Sequence, residues 1–201
     1  MVYSVTTLLN RSLALLGEAP ISDLSEESES ARRAVSQYEH TVDLLLSSFN
    51  WSFASVPKHL LALVGVVSDI PPWSHLYALP SDCLRPIRVF VPSTYQVILH
   101  DFARHKDGLY TDTADAYLSY TARVGVETFP AYFVEALVHT LAFDLSAFYG
   151  RTGGERQAYG QDKQRHVGFA KFTDSKQGGV PTIGQDVLLE SRGGYRRAFT
   201  L

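Results

Sequence analysis

The densest grouping of potential ligands in the chain is His100-Asp101-Phe102-Ala103-Arg104-His105-Lys106-Asp107. Two imidazoles share a helical face at a four-residue spacing, whereas His100 and His105 stand five apart, and Arg104 and Lys106 would repel a cation. The expectation is a solvated turn between strands, without a metal. A serine nucleophile often announces itself as Gly-x-Ser-x-Gly, and a phosphate loop as a glycine run ending in Gly-Lys-Ser or Gly-Lys-Thr; neither pattern occurs. Arg151-Thr152-Gly153-Gly154-Glu155 places glycines before a helix but lacks the lysine and the preceding strand, so it reads as an interhelix turn. Asp43, Asp82, Glu135 and Asp144 are scattered carboxylates from which no catalytic pair can be named, and Asp144, on an apolar segment, is expected to make a polar contact among helices. Cys83 is the single cysteine; flanked by Asp82 and Leu84, it is expected to be a buried thiol, with no intrachain disulfide possible.

Two aromatic groups remain. Trp51 and Phe53 could form a binding platform, but their place at a helix end favours a plug between two parts of the core. Tyr195, Arg196, Arg197 and Phe199 make a basic and aromatic end to the chain, suited to docking on a protein neighbour, because two arginines grip phosphate only weakly.

The elements that must position these residues follow from periodicity. Val5, Leu8, Leu9, Leu13 and Leu16 share one helical face over residues 3–16, and Gly17 is placed to end that helix in a left-handed cap. Asp23 is expected to cap a second helix, with Glu26 completing a capping box. Ala31, Val35, Tyr38, Val42, Leu45 and Phe49 then follow at spacings of 4, 3, 4, 3 and 4, the seam of a bundle. From Pro57 the texture becomes β-type: an apolar run Leu60 to Val67, branched and aromatic stretches Ile87 to Val91 and Tyr95 to Leu99, a turn at Asp107-Gly108 before Leu109, Tyr110 and Thr111, and a two-faced alternation from Tyr117 to Val126. Pro130 suits a helix start. Residues 131–149 are apolar on most sides, which marks a central helix, and a more polar helix follows over about 155–174, with Ala158, Tyr159, His166, Val167, Phe169 and Ala170 as packing residues. From Lys176 glycines and a proline punctuate a stretch without helical period. The predicted fold class is mainly α with inserted β: an antiparallel helical bundle (1–56 and 127–175) carrying a small β lobe (57–126) and an extended C-terminal docking tail (176–201).

Composition sets the outer bounds. With 201 residues, 45% apolar and 12% aromatic, the chain can fill a core. A formal charge of −3 argues against a protein whose main task is to neutralise phosphates. The start Met1-Val2-Tyr3-Ser4 lacks the pattern of a signal peptide, and no apolar run approaches the roughly 20 residues that span a bilayer, so a cytoplasmic, soluble protein without a membrane partner is expected.

Several short signatures recur in order along the chain: Asn10 with Ala14-Leu15-Leu16-Gly17; Ile21, Ser22 and Leu24; Phe49-Asn50-Trp51-Ser52-Phe53-Ala54; Leu79-Pro80-Ser81-Asp82-Cys83-Leu84-Arg85; and Phe129-Pro130 leading to Phe133 and Glu135-Ala136-Leu137. In that order and at those distances the chain resembles the tail tubular protein A family, the head-to-tail adaptors or gatekeepers of short-tailed phages. The resemblance implies a structural virion protein, with no reaction and no cofactor. It implies a twelve-fold ring between a portal protein and a tail nozzle protein, with double-stranded DNA passing through without sequence specificity. Trp51, Phe53, Pro80, Asp82 and Arg85 carry over as fold-defining positions, and Tyr195, Arg196, Arg197 and Phe199 as portal or subunit docking residues. The expected location is the neck of the virion, and the host cytoplasm during assembly. A connector of a long-tailed phage, a small DNA-binding regulator and a small hydrolase are the other classes considered.

Overall fold

The computed structural model describes residues 3–66, 72–92, 97–105 and 108–177. Its helices are α1 (Val5–Leu15), α2 (Glu29–Ser47), α3 (Ala131–Ser146) and α4 (Gly153–Gln177), and its strands β1 (Ser55–Leu60), β2 (Ala62–Val66), β3 (His75–Ala78), β4 (Cys83–Pro92), β5 (Val97–His100), β6 (Phe102–His105), β7 (Gly108–Thr111) and β8 (Tyr117–Ala122). Single 3-10 turns cover Ser52–Ala54 and Val126–Thr128.

The mainly α expectation is overturned. Helix accounts for about 48% and strand for 24%, and the strands form two four-stranded antiparallel sheets, so this is an α+β fold rather than a helical bundle with a small β lobe. The sheet orders are β1-β8-β4-β5 and β2-β3-β7-β6. Only Leu61 separates β1 from β2, and only Asp101 separates β5 from β6, so each of these chain segments bends at one residue and passes from one sheet into the other. Both corners are tied down: the Leu61 amide donates to the Ala116 carbonyl at 2.9 Å, and the Thr111 hydroxyl to the Asp101 carbonyl at 2.8 Å. The pairing then runs in a circuit, β8 to β1/β2, β3, β7, β6/β5, β4 and back to β8. Strands that change sheet at a corner are how orthogonal sheets enclose a common interior. That interior holds Leu61, Tyr77, Cys83, Val89, Leu109, Leu118, Tyr120 and Ala122.

The apolar run expected as one strand from Leu60 is therefore the corner itself. From His100 to His105 the chain is likewise a corner followed by β6 rather than a solvated turn. The expected two-faced strand β8 is buried on both sides: Leu118, Tyr120 and Ala122 point into the barrel, while Ser119 and Thr121 are buried on the opposite face. At the start of β7 Gly108 sits at φ +147°, and a Cβ there would collide with the Tyr77 carbonyl of the neighbouring strand, which is why only glycine fits.

The helical part is built on α3, whose Phe133, Val134, Leu137, Val138, Leu141 and Leu145 are all buried. Each such side chain contributes roughly 1.5–3 kcal/mol on burial, so this one helix anchors the other three. Arg33 reaches the Phe148 carbonyl and Thr41 reaches Asp144, so α2 runs antiparallel to α3. Tyr132 meets Asp174 and His139 meets His166, so α4 does too. Helix α1 breaks the antiparallel expectation: Arg11 meets Glu135 and Ser12 meets Val138, so it runs in the same sense as α3.

Local chemistry fixes the helix ends. Gly17, at φ +72°, closes α1, its amide donating to Ala14 and that of Glu18 to Leu13. Helix α2 starts five residues later than a cap at Asp23 would place it. Asp23 instead accepts from the Ser25 amide at 2.7 Å and Glu26 from the Ser22 amide at 2.6 Å, and Ser28 caps the helix through the Ala31 amide. Two short side-chain turns thus consume the acids that a capping box would have used. Helix α4 runs to Gln177, two residues into the stretch expected to lack structure.

Candidate functional site

The predicted fold-defining residues converge where helices meet barrel. Trp51 is fully buried in the helical core, its indole N–H donating to the Leu45 carbonyl at 2.9 Å and its ring packed against Phe49, Phe53 and Phe133. Phe53, half-buried beside it, packs edge-on against Phe133 with centroids 4.9 Å apart. Pro80 accepts the Cys83 amide through its carbonyl at 3.0 Å, forming the turn into β4. Asp82 accepts from the Tyr120 hydroxyl at 3.1 Å, and its carbonyl receives the Arg123 amide at 2.7 Å. Arg85 spans the joint: one guanidinium nitrogen donates to the Ser47 carbonyl at 3.1 Å and another to the Asn50 side chain at 2.5 Å. A cation on the last carbonyls of α2 is favourable for the helix dipole as well as for the unpaired groups. Two signatures 35 residues apart in sequence, around Trp51 and around Asp82, are thereby brought into contact. In the same way Asn10 and Ile21 exchange two hydrogen bonds, at 2.8 and 2.9 Å, which pin the turn after α1.

Tyr195, Arg196, Arg197 and Phe199 lie outside the described residues.

A residue that sequence reading missed closes the joint from the other side. Asp174 of α4 is 2% exposed and accepts three hydrogen bonds, from the Ser52 amide at 2.9 Å, the Ser52 hydroxyl at 2.8 Å and the Tyr132 hydroxyl at 2.7 Å. Burial, then the bond to Asp174, push the Tyr132 phenol up to about 12, so it remains a donor at any physiological pH. No local signal pairs residues 52 and 174; only the fold does.

Of the grouping around His100, Lys106 and Asp107 lie outside the described residues. His100 Nδ1 pairs with Asp112 at 3.0 Å across to the end of β7, and among the described residues no group of three or more His, Cys, Asp or Glu is arranged to hold a metal ion. At the start of α4, Thr152 and Glu155 form a capping box: the Glu155 carboxylate accepts the Thr152 amide and hydroxyl, both at 2.8 Å, and the Glu155 amide donates back at 3.3 Å. These bonds hold the Glu155 carboxyl below its usual range. Arg151 is turned away to Glu18 at 2.6 Å and to the Leu16 carbonyl. A phosphate arriving there would meet a carboxylate already in place. The pattern Thr-x-x-Glu was the missed signal.

Asp144 does make the expected contact among helices, accepting from Thr41 at 3.0 Å and facing Lys163 at 3.5 Å. Cys83 is buried in the barrel, and burial pushes its thiol up to about 11. A concavity of about 390 Å³ opens between α1, α2 and the segment after β8, with Val42, Val124 and Phe129 in its wall. Its arginine, Arg123, is paired with Glu39 and, at 2.8 Å, with Asp43.

Among the described residues, two of the exposed apolar groups lie on α4 and at a barrel corner. On α4 the inward positions are Tyr159, Val167, Ala170 and Asp174, which leaves Phe169 and Phe172 turned outward, 61% and 59% exposed, with the Lys176 ammonium 4.2 Å from the Phe172 ring centroid. Phe169 was expected to pack inward; the buried register runs through Ala170, one residue on. On the barrel, Leu60, Leu63 and Val64 stand exposed around the β1–β2 corner, again in the 54–60% range. Clusters of this kind mark contact surfaces more often than single exposed leucines do.

No family model matches the chain, and no curated protein matches it. Among the described residues no helix is long and apolar enough to cross a membrane.

Proposed function

We propose that this chain is the subunit of a head-to-tail adaptor ring, a virion protein that joins a portal to a tail nozzle, forms part of the DNA ejection channel and helps retain packaged DNA. The observation that carries the reading is the pair of separate apolar patches, Phe169 with Phe172 on α4 and Leu60, Leu63 and Val64 on the barrel corner. A subunit that repeats around an axis contacts its two neighbours through different, complementary surfaces, and one that also sits between two partners needs apolar area beyond its own core. The ordered signatures from Asn10 to Leu137 support the same reading, since several of them, Asn10 with Ile21 and Asn50 with Arg85, are physically bonded to each other.

On this reading twelve copies close a ring. Double-stranded DNA passes through it without sequence specificity, and a formal charge of −3 suits a channel that lets DNA slide rather than grips it. Tyr195, Arg196, Arg197 and Phe199 serve as docking residues for the portal or the next subunit. The protein is made in the host cytoplasm and ends in the neck of the particle. Its work is geometric.

Negative-stain microscopy of the purified chain mixed with its portal tests the proposal. A ring capping the portal is the expected result. A chain that stays dispersed at high concentration and ignores the portal overturns it, and salt-sensitive binding of duplex DNA by that monomer would point to the regulator instead. Deleting residues 178–201 should leave the helical part folded while weakening ring attachment.

A further inference from the structure

Across the seam between α3 and α4 the imidazoles of His139 and His166 lie face to face, with ring centroids 3.7 Å apart and planes 8° from parallel. Both are half-buried. Each follows a carboxylate by four residues on its own helix, Glu135 before His139 and Asp162 before His166, the spacing that puts both groups on one face. Both carboxylates are already engaged, Glu135 by Arg11 of α1 at 2.6 Å and Asp162 by Arg165 at 2.8 Å. Lys163, on the same helix as His166, is turned to Asp144 and to the Phe143 ring. A proton arriving on the first ring therefore finds its acidic neighbours occupied, and a second would meet a like charge at stacking distance. A shared metal does not fit the pair, because an ion lies in the plane of each imidazole it binds and two stacked parallel planes have no common line.

The geometry points to an acid-sensitive clasp: while neutral, the stacked His139 and His166 hold the middle of α4 on α3, and protonation of the pair releases that segment. The surrounding charges agree. His139 titrates below the ordinary imidazole value of 6.5, by burial first and by His166 second, with Arg165 acting in the same sense and Asp162 and Glu135 opposing it. Open or unfolded imidazole titrates near 6.5, so over the interval below that value the open form binds more protons than the closed one. The clasp is therefore fully effective above about pH 6.5 and weakens as the pH falls from there toward the lowered value. Release stays local, because Asp174 holds the C-terminal end of α4 to Ser52 and Tyr132, and Tyr159 reaches the Leu15 carbonyl toward the other end. Gly160 and Gly168 bracket the segment between, where the helix is intrinsically weakest. The inference stands whether or not the chain forms rings.

Amide hydrogen exchange of the full chain, read by mass spectrometry as protection factors relative to the chemical rate at each pH, tests it. Between pH 7.5 and 5.5, protection of peptides spanning residues 160–170 should fall, by up to about tenfold for each proton that opening takes up. His166→Phe keeps a stacked ring without a proton to gain, and its protection should stay flat. Equal wild-type protection at both pH values, or the same fall in the variant, overturns the clasp. Should the variant fail to fold, nuclear magnetic resonance titration of the wild-type imidazoles decides: His139 titrating below 6.5 in a manner coupled to His166 supports it, and two independent transitions near 6.5 refute it.

Discussion

Removing the Asp174 carboxylate should loosen the junction of α4 with α3 and the Ser52 turn more than any other single polar change. Asp174→Ala deletes the acceptor for the Ser52 amide, the Ser52 hydroxyl and the Tyr132 hydroxyl. Hydrogen bonds to a charged group are each worth roughly 1.5–3 kcal/mol net, which gives an upper range well above what is expected here. Ser52 is exposed and Tyr132 only half-buried, so water can replace part of what is lost. The balance is a destabilisation of about 3 kcal/mol, or about 6–12 °C in melting temperature for a chain of this size. Tyr132→Phe alone removes one of the three donors and should cost about 1 kcal/mol. Because the two residues share a bond, the double variant should fall short of additivity by about 1 kcal/mol. Urea unfolding of the wild type, both single variants and the double variant, followed by circular dichroism with the slope held constant, measures all four corners. A loss below about 0.5 kcal/mol for Asp174→Ala, or strict additivity with Tyr132→Phe, would refute the assignment of Asp174 as the latch.

Gly108→Ala forces a side chain into a positive-φ position against the Tyr77 carbonyl, and should destabilise by about 3 kcal/mol or prevent folding, as a thermal melt would report. Cys83, its thiol pushed up to about 11 by burial, should react with a thiol reagent at pH 8 at least about a hundredfold more slowly than free cysteine and at the full rate in urea; rapid native labelling would contradict its place in the barrel. Arg85→Met keeps much of the stem but leaves the Ser47 carbonyl and Asn50 without their partner, for an expected loss of about 1–2 kcal/mol in the same urea assay.

The helices were legible because their burial follows a local period. Of the expected seam, Ala31, Tyr38, Val42 and Leu45 are buried while Val35 and Phe49 are half-buried against the same core, and the apolar character of residues 131–146 marked the helix on which the others rest. The barrel was not legible, for three physical reasons. The run Leu60 to Val66 carries no proline at its bend and turns at Leu61, so it reads as one strand although it serves two sheets. β3 is only four residues long, too short for alternation to register. The alternation in β8 gave two different faces, but that the face of Ser119 and Thr121 is also covered is something no local pattern can announce. The same limit applies to the joint. Gly17 was readable as a helix end because the requirement is local, whereas Asp174 reads as one more polar residue on a polar helix until Ser52, 122 positions away, is placed beside it. The cap of α2 failed for a subtler reason: Asp23 and Ser28 both satisfy the composition rule, and the two tight turns at Ser22 and Ser25 decide between them.

The corners at Leu61 and Asp101 have a consequence for how the molecule can meet other chains. Because the pairing circuit returns on itself, an incoming strand finds little unclaimed main chain on which to zip, and runaway fibre growth loses its usual template. Any association through the described strands then relies on the fit of side chains rather than on main-chain pairing, which makes it selective and reversible.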